Sequence, residues 1–235
     1  MKITCDRELL STAFHTAAMV APAKSPKSIL QNVKIDALKD QVTLMATDME
    51  VGIRLTISGV EVETPGSAVL PVGRFGMILR ESSDEQLHIE ADVQGIRVHG
   101  LSSEFKLPSQ NPDEFPSQSI VTFEEEKYHK LTERLLRELI RRTIFATDAE
   151  SSRYALGGVL FEMHSDKIIA VGTDGRRLAR MEGPAESCNG HETGETTTII
   201  PTRSLQVIDR ALTSPGAEVL VAVRSNDVLV KTPQA

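Results

Sequence analysis

The dipeptide Thr-Asp stands twice in one apolar frame, in MATDMEVGIRL at 45–55 and in VGTDGRRLAR at 171–180. The offset, 174 − 48 = 126, is about half of the 235-residue chain. Self-similarity at a fixed spacing constrains a fold strongly, because each copy must solve the same packing problem. Sliding the chain by that offset sets Leu9-Leu10 on Leu135-Leu136, Leu30 on Leu156, Val33 on Val159, Asp40 on Asp166 and Arg54 on Arg180, without a gap. The apolar pattern agrees where identity fails: Ile35 meets Phe161, Val42 meets Ile168 and Met45 meets Val171. After a few residues of drift, LPVGRFGMILR at 70–80 matches IPTRSLQVIDR at 200–210, and LHIEADVQGIRVHG at 87–100 matches VLVAVRSNDVLVKT at 219–232. The pattern predicts two copies of one domain, residues 1–121 and 122–235.

Each copy reads as α+β. A strand over about 1–5 leads into an amphipathic helix with Asp6 as its N-cap. A hairpin of strands near 29–37 and 41–47 follows, then a third strand near 50–58. In the second copy the helix is TERLLRELIRRTIF, 132–145, with Leu136, Leu139, Ile140 and Thr143 as its buried stripe at helical spacing. A second helix opens at Pro71 and again at Pro201, since proline is tolerated in a first helical turn. Val- and Ile-rich strands with polar turns such as Ser225-Asn226-Asp227 complete the order βαβββαβββ. The first copy continues through SSEFKLPSQNPDEFPSQ (102–118), a strand and then a proline-rich linker. The second stops at Gln234-Ala235 where that strand would begin, which predicts an empty strand position and an unpaired sheet edge.

The plainest role for Thr-Asp is turn chemistry. Asp174-Gly175 suits a two-residue hairpin turn in which glycine takes a positive φ and the aspartate bonds nearby amides. A catalytic reading would need Asp48 and Asp174 to converge, yet they hold equivalent positions in separate copies. His15, His88, His99, His129, His164 and His191 show no metal-ligand spacing, and no nucleophile, phosphate-loop or dinucleotide motif occurs. Cys188 and His191, in ESCNGHET, read as a polar surface loop. No catalytic residue, metal or cofactor is predicted. With two cysteines, no apolar leader and no run of about 18 apolar residues, the sequence predicts a reduced cytoplasmic protein without membrane contact.

Net charge is −7 and both copies are acidic, with 11 basic and 16 acidic residues over 1–120 and 15 and 17 over 121–235. General electrostatic grip on DNA is thereby excluded, and any nucleic-acid contact needs a local basic face. Such faces occur. Arg134, Arg137 and Arg141 fall opposite the Leu/Ile stripe, flanked by Arg142 and offset within 134–142 only by Glu138. Lys24 and Lys27 follow the first helix, and Arg74, Arg80, Arg203 and Arg210 lie on the proline-started helices. One such residue reads as a solvated face; equivalent basic helices in both copies shift the reading toward a cationic surface.

These residues resemble the bacterial DNA sliding clamp, the beta subunit of DNA polymerase III. The resemblance runs from Met1 to the end and is carried by ATDMEVGIRL, LPVGRF, FKLPSQNPDEFP, RYALGGVLFE and VGTDGRRLA. It implies the DNA-clamp fold, with helices lining an inner face and sheets outside. It also implies a homodimeric ring of three-domain chains around double-stranded DNA and a non-catalytic processivity role. Lys24, Arg74, Arg80, Arg137, Arg141, Arg203 and Arg210, with Tyr154, become DNA-facing candidates. Leu156, Thr173, Gly175, Arg176, Arg177 and Leu178 match a peptide pocket. In the family that pocket takes short apolar motifs of the DNA polymerase III catalytic subunit, the clamp loader, other polymerases and repair proteins. Arg176 departs from the histidine common there, and the pocket's other wall and the third domain correspond to segments beyond residue 235.

Two readings follow. One is a processivity factor that encircles DNA and needs a third domain to close its ring. The alternative is a shortened adaptor or decoy that binds clamp-seeking peptides without encircling DNA. A hydrolase or nuclease has no supporting motif.

Overall fold

The computed structural model describes the whole chain except residues 40, 152, 195 and 196. Asp40, which the repeat sets on Asp166, therefore lies outside the described residues. The chain divides into two compact units, Met1–Val121 and Thr122–Ala235.

The first unit runs β1 (Lys2–Asp6), α1 (Arg7–Ala18), β2 (Asn32–Leu38), β3 (Gln41–Thr47), β4 (Gly52–Ile57), β5 (Val60–Thr64), β6 (Gly66–Pro71), α2 (Val72–Glu81), β7 (Gln86–Asp92), β8 (Gly95–His99) and β9 (Glu104–Leu107). The second runs β10 (Tyr128–Thr132), α3 (Glu133–Arg141), β11 (Gly158–Met163), β12 (Lys167–Thr173), β13 (Leu178–Pro184), β14 (Glu186–Cys188), β15 (Thr198–Pro201), α4 (Thr202–Ala211), β16 (Glu218–Val223) and β17 (Val228–Lys231). Strand orders β5-β1-β7-β8-β9 and β4-β3-β2-β6 recur as β14-β10-β16-β17 and β13-β12-β11-β15. The α+β fold and its duplication hold, and all pairings are antiparallel. The order βαβββαβββ is corrected: each copy inserts two further strands before its second helix. Of these, VEVET at β5 and ESC at β14 are short or polar and carry little apolar alternation to read, while β6 (GSAVLP) and β15 (TIIP) run directly into the helices that follow Pro71 and Pro201. Among the described residues β9 has no counterpart, and β17 is an edge.

Local chemistry sets the element ends. Asp6 Oδ1 accepts from Leu9 N at 2.9 Å, and Thr132 Oγ1 accepts from Leu135 N at 3.2 Å, so one capping device starts the first helix of each copy. The helix expected over 132–145 ends at Arg141. Thr143 is fully buried beyond it, with Oγ1 donating to the Leu139 carbonyl at 2.6 Å. The hydroxyl competes for helical carbonyls, and the chain turns into a short 3₁₀ segment, Ile144–Ala146. The proline-rich stretch after β9 is not a free linker: Phe115 and Ile120 are buried against Met45, and Lys34 Nζ donates to Ser117 Oγ at 3.1 Å.

The second unit's core joins Leu136, Leu139, Val159, Phe161, Leu205 and Val219. In the first unit, Phe14 of α1 and Phe75 of α2 meet edge-to-face with centroids 4.9 Å apart.

One expectation fails outright. His191 is not on a polar surface loop; it is buried against His129, itself fully buried. His191 Nε2 faces both the Val223 amide, at 3.0 Å, and the Val223 carbonyl, at 3.4 Å, and His191 Nδ1 lies 2.6 Å from His129 Nδ1. His129 Nε2 donates to the His164 carbonyl at 2.6 Å. Burial pushes the His191 pKa down against the hydrogen bond to the Val223 carbonyl and Glu125, which raise it; His129 and Lys127 lower it further. A base whose folded pKa is depressed contributes full stability above its unfolded value and loses it as pH falls below that value. The thermal midpoint is therefore expected to stay level above about pH 7 and to drop below about pH 6.5. Replacing both rings together, His129→Leu with His191→Leu, flattens that slope; a wild-type midpoint level down to about pH 5.5 would show that burial does not hold the His191 pKa down.

Candidate functional site

The cationic candidates of the first unit lie on and beside its two helices. Lys24 is exposed in the loop after α1, and Arg74 and Arg80 are exposed on α2. None of the three makes an ion pair among the described residues. The second unit differs. Arg141 of α3 reaches Asp209 of α4 with three hydrogen bonds, Nε to Oδ1 at 3.0 Å and to Oδ2 at 3.3 Å, and Nη2 to Oδ2 at 3.2 Å. Arg137 Nε approaches the same carboxylate at 3.5 Å. Arg142 pairs with Glu138 at 2.5 Å. The local excess of positive charge expected on α3 is thus partly answered by Asp209, which lies 68 residues from Arg141 and which no local pattern reveals. Arg203 and Arg210 are exposed on α4. Tyr154 is 70% exposed, and its hydroxyl donates to the Ile199 carbonyl at 3.1 Å.

The pocket candidates gather around the Thr-Asp loop. Thr173 pairs with Leu178 across β12 and β13, so the connection has four residues, 174–177, and not the two-residue turn expected from Asp174-Gly175. Asp174 Oδ1 accepts from the amides of Arg176 and Arg177, each at 2.9 Å, and Thr173 Oγ1 accepts from Gly175 N at 3.1 Å and donates to the Arg177 carbonyl at 2.8 Å. The loop needs four residues because these side chains stand in for backbone partners. The amides of Arg177 and Arg176 hold the Asp174 carboxyl below its usual range.

The first copy builds the same loop. Thr47 pairs with Gly52, Asp48 Oδ1 accepts from Glu50 N and Val51 N at 3.0 and 2.7 Å, and Thr47 Oγ1 donates to the Val51 carbonyl at 2.9 Å. Even the left-handed position recurs, at Met49 with φ 80° and at Gly175 with φ 84°. What differs is the outward chemistry. Glu50 and Val51 of the first copy are replaced by Arg176 and Arg177, followed by Leu178, 65% exposed.

Leu156 lies on the 3₁₀ turn Tyr154–Leu156, and the segment that follows α3 packs on β12 at Thr143 and Thr147. A Cβ on Gly172 would lie 2.3 Å from the Thr143 carbonyl oxygen, so only glycine lets that segment press on the end of β12. The Leu156 carbonyl accepts from Asp148 N at 2.8 Å; Thr147 and Thr202 hydroxyls meet at 3.0 Å, and Thr202 Oγ1 donates to the Gly157 carbonyl at 3.0 Å. Leu156 itself is half-buried. A groove of about 770 Å³ in the same unit lies elsewhere, between α3, β10 and β13, lined by Arg134, Leu135, Glu138, Met181 and Pro184; none of the pocket candidates lines it.

Asp48 and Asp174 each spend a carboxylate oxygen on their own loop, which answers the paired-catalyst reading with a structural role. Among the described residues no cluster of three or more His, Cys, Asp or Glu is placed to hold a metal ion. No helix among them is long and apolar enough to cross a membrane.

The family model for the DNA polymerase III beta subunit, N-terminal domain, matches residues 1–119, and that for the central domain matches residues 130–235. The chain belongs to the DNA polymerase III beta subunit family. It is 27% identical to the beta sliding clamp of Halalkalibacterium halodurans over 98% of this chain and 62% of that protein. With the beta sliding clamp of Chlamydia muridarum it shares 30% identity over 77% of this chain and 49% of the relative. Its structure superposes on the DNA polymerase sliding clamp of Bacillus subtilis with a TM-score of 0.89 at 25% identity, covering 98% of this chain and 62% of that one. The DNA polymerase III subunit beta of Pseudomonas aeruginosa gives 0.87 at 25% identity, with coverage of 100% and 63%. The chain thus spans less than two thirds of the length of these beta-subunit relatives.

Within this beta-subunit chain, Gly172→Ala is expected to destabilise by about 1–3 kcal/mol, because backbone stands where the methyl would go, and to shift the amide resonances of 143–148. Gly175→Met is expected to be milder, since Met49 already occupies the equivalent left-handed position. Thermal melts and amide spectra of the two variants check the contrast; equal losses would refute the close-packing argument.

Proposed function

We propose that this chain acts in a sliding clamp, the non-catalytic processivity factor that holds a replicative polymerase on double-stranded DNA. The observation that carries the reading is the repetition, within an acidic chain of net charge −7, of one domain whose helices bear exposed cations. A topological tether needs weak, exchangeable phosphate contacts on one face, which carry no sequence information and leave the remaining surface free to be acidic. In this reading Lys24, Arg74, Arg80, Arg203, Arg210 and Tyr154 face the DNA, and Arg137 and Arg141 contribute what charge Asp209 leaves.

The same reading assigns docking to Leu156, Thr173, Gly175, Arg176, Arg177 and Leu178. An exposed leucine beside two arginines on a loop braced by its own Thr and Asp suits a short apolar segment of a partner. The partners are the DNA polymerase III catalytic subunit, the clamp loader, other polymerases and repair proteins, in a homodimeric ring in the cytoplasm.

Retention on circular DNA tests the tether. A version extended to the full length of its relatives is expected to stay on a nicked circle after a salt wash and to escape once the circle is cut. Escape at the same rate from both forms would overturn the tether. Independently, Arg74→Ala and Arg80→Ala should each reduce the salt dependence of DNA binding by about one unit of log–log slope, uniformly across DNA sequences.

A further inference from the structure

Phe145 is a residue that the reading above leaves unused. It lies on the 3₁₀ turn Ile144–Ala146 and is 58% exposed. The chain has seven phenylalanines, two tyrosines and no tryptophan, and Phe14, Phe75, Phe115 and Phe161 are buried. A single exposed apolar side chain needs no explanation by itself. Phe145 has three attributes that a stray surface residue lacks. Its turn is clamped onto β12 at Gly172, immediately before Thr173, so the ring is mounted on a rigid base. The Arg177 guanidinium lies over the ring, 5.8 Å from its centroid, while Arg177 Nε donates to Asp174 Oδ2 at 2.9 Å. The residue after that arginine is the exposed Leu178, and the other strongly exposed aromatic, Tyr154, stands on the turn tied back to Asp148 through Leu156.

We propose that Phe145 and Arg177 form one further recognition element of the docking surface: the ring packs against an apolar side chain of a linear peptide, and the guanidinium above it takes a carboxylate of the same peptide. The inference rests on the assignment of Thr173–Leu178 to peptide docking. Charge selects the occupant. The loop carries two arginines and one aspartate, and that aspartate is engaged by two loop amides and by Arg177 Nε. Arg176 has no side-chain partner among the described residues, and Arg177 keeps its terminal nitrogens for a ligand. An acidic side chain next to an apolar one therefore matches this surface, and a basic peptide does not. Arg177 is already poised, because the ring below and the aspartate beside it limit its rotamers before a ligand arrives, which lowers the entropy lost on binding.

Fluorescence anisotropy with a labelled ten-residue peptide carrying adjacent Leu and Phe and one Asp tests this, with three controls: the same peptide with Asn for Asp, Leu178→Ala for the docking surface as a whole, and a labelled oligothymidylate. Phe145→Ala is expected to weaken the peptide roughly three- to tenfold, and Phe145→Leu to weaken it less. The Asp-to-Asn change in the peptide should cost affinity in the wild type and little in Arg177→Ala, which is the coupling a double-mutant cycle detects. Unchanged binding by Phe145→Ala, with Leu178→Ala impaired, would overturn the inference and leave the docking surface standing. No effect of Leu178→Ala, or no peptide binding by the wild type, would remove the docking surface and the inference with it. Loss of oligothymidylate binding without loss of peptide binding would show that the ring stacks on bases instead. Thermal melts of both Phe145 variants, expected to match the wild type because the ring is exposed, keep a folding defect from imitating a binding one.

Discussion

Burial of one face of every sheet is the constraint on which the rest depends. A four-stranded antiparallel sheet such as β13-β12-β11-β15 turns Val159, Phe161, Ile168 and Ala170 inward and leaves alternate residues outward. It must be covered, and α3 supplies Leu136, Leu139 and Ile140 while α4 supplies Leu205. Truncating a fully buried residue such as Phe161 to alanine would cost about 3–5 kcal/mol, a large share of what a domain of this size has. Once each helix gives its apolar stripe to the sheets, its other face is left to polar residues. The exposed arginines of α2 and α4 are thus a by-product of the same packing that makes the core, available for use on any anionic partner.

The Thr-Asp loops show how a duplicated domain keeps a backbone solution and changes its chemistry. Both copies satisfy the tip of a hairpin with one hydroxyl and one carboxylate, down to a left-handed residue at the same place. The conserved pair is structural. Divergence falls on the next residues, where Glu50 and Val51 have become Arg176 and Arg177, and where Leu178 stands in place of Gly52. A loop braced by its own side chains tolerates such changes because none of the altered side chains holds the backbone.

Charge needs the same separation of local from distant causes. The arginines of α3 look like a free cationic stripe until Asp209 is placed between Arg137 and Arg141. Exposed pairs of this kind add little to stability. Their effect is on the surface, where they lower the net charge offered to a phosphate and hold two long side chains in fixed positions. The first unit, whose Lys24, Arg74 and Arg80 carry no such partner among the described residues, presents the less compensated face.

The sequence by itself determined the repeat, the Asp6 cap, the four helices, the strands with an apolar pattern and the Thr-Asp loops as turns, because each shows in short runs of residues that can be read or compared directly. Family membership was legible for the same reason, in short runs such as VGTDGRRLA. Only the tertiary structure decided the buried His129–His191 pair, the capture of Arg137 and Arg141 by Asp209, the strapping of Phe115 and Ile120 onto Met45, and the placement of Phe145 under Arg177. Each joins residues far apart in the chain, and strand order, which no local period encodes, sets which of them meet. The polar strands β5 and β14 were missed on related grounds: hydrogen bonding to β1 and β10, and not their own apolar pattern, makes them strands.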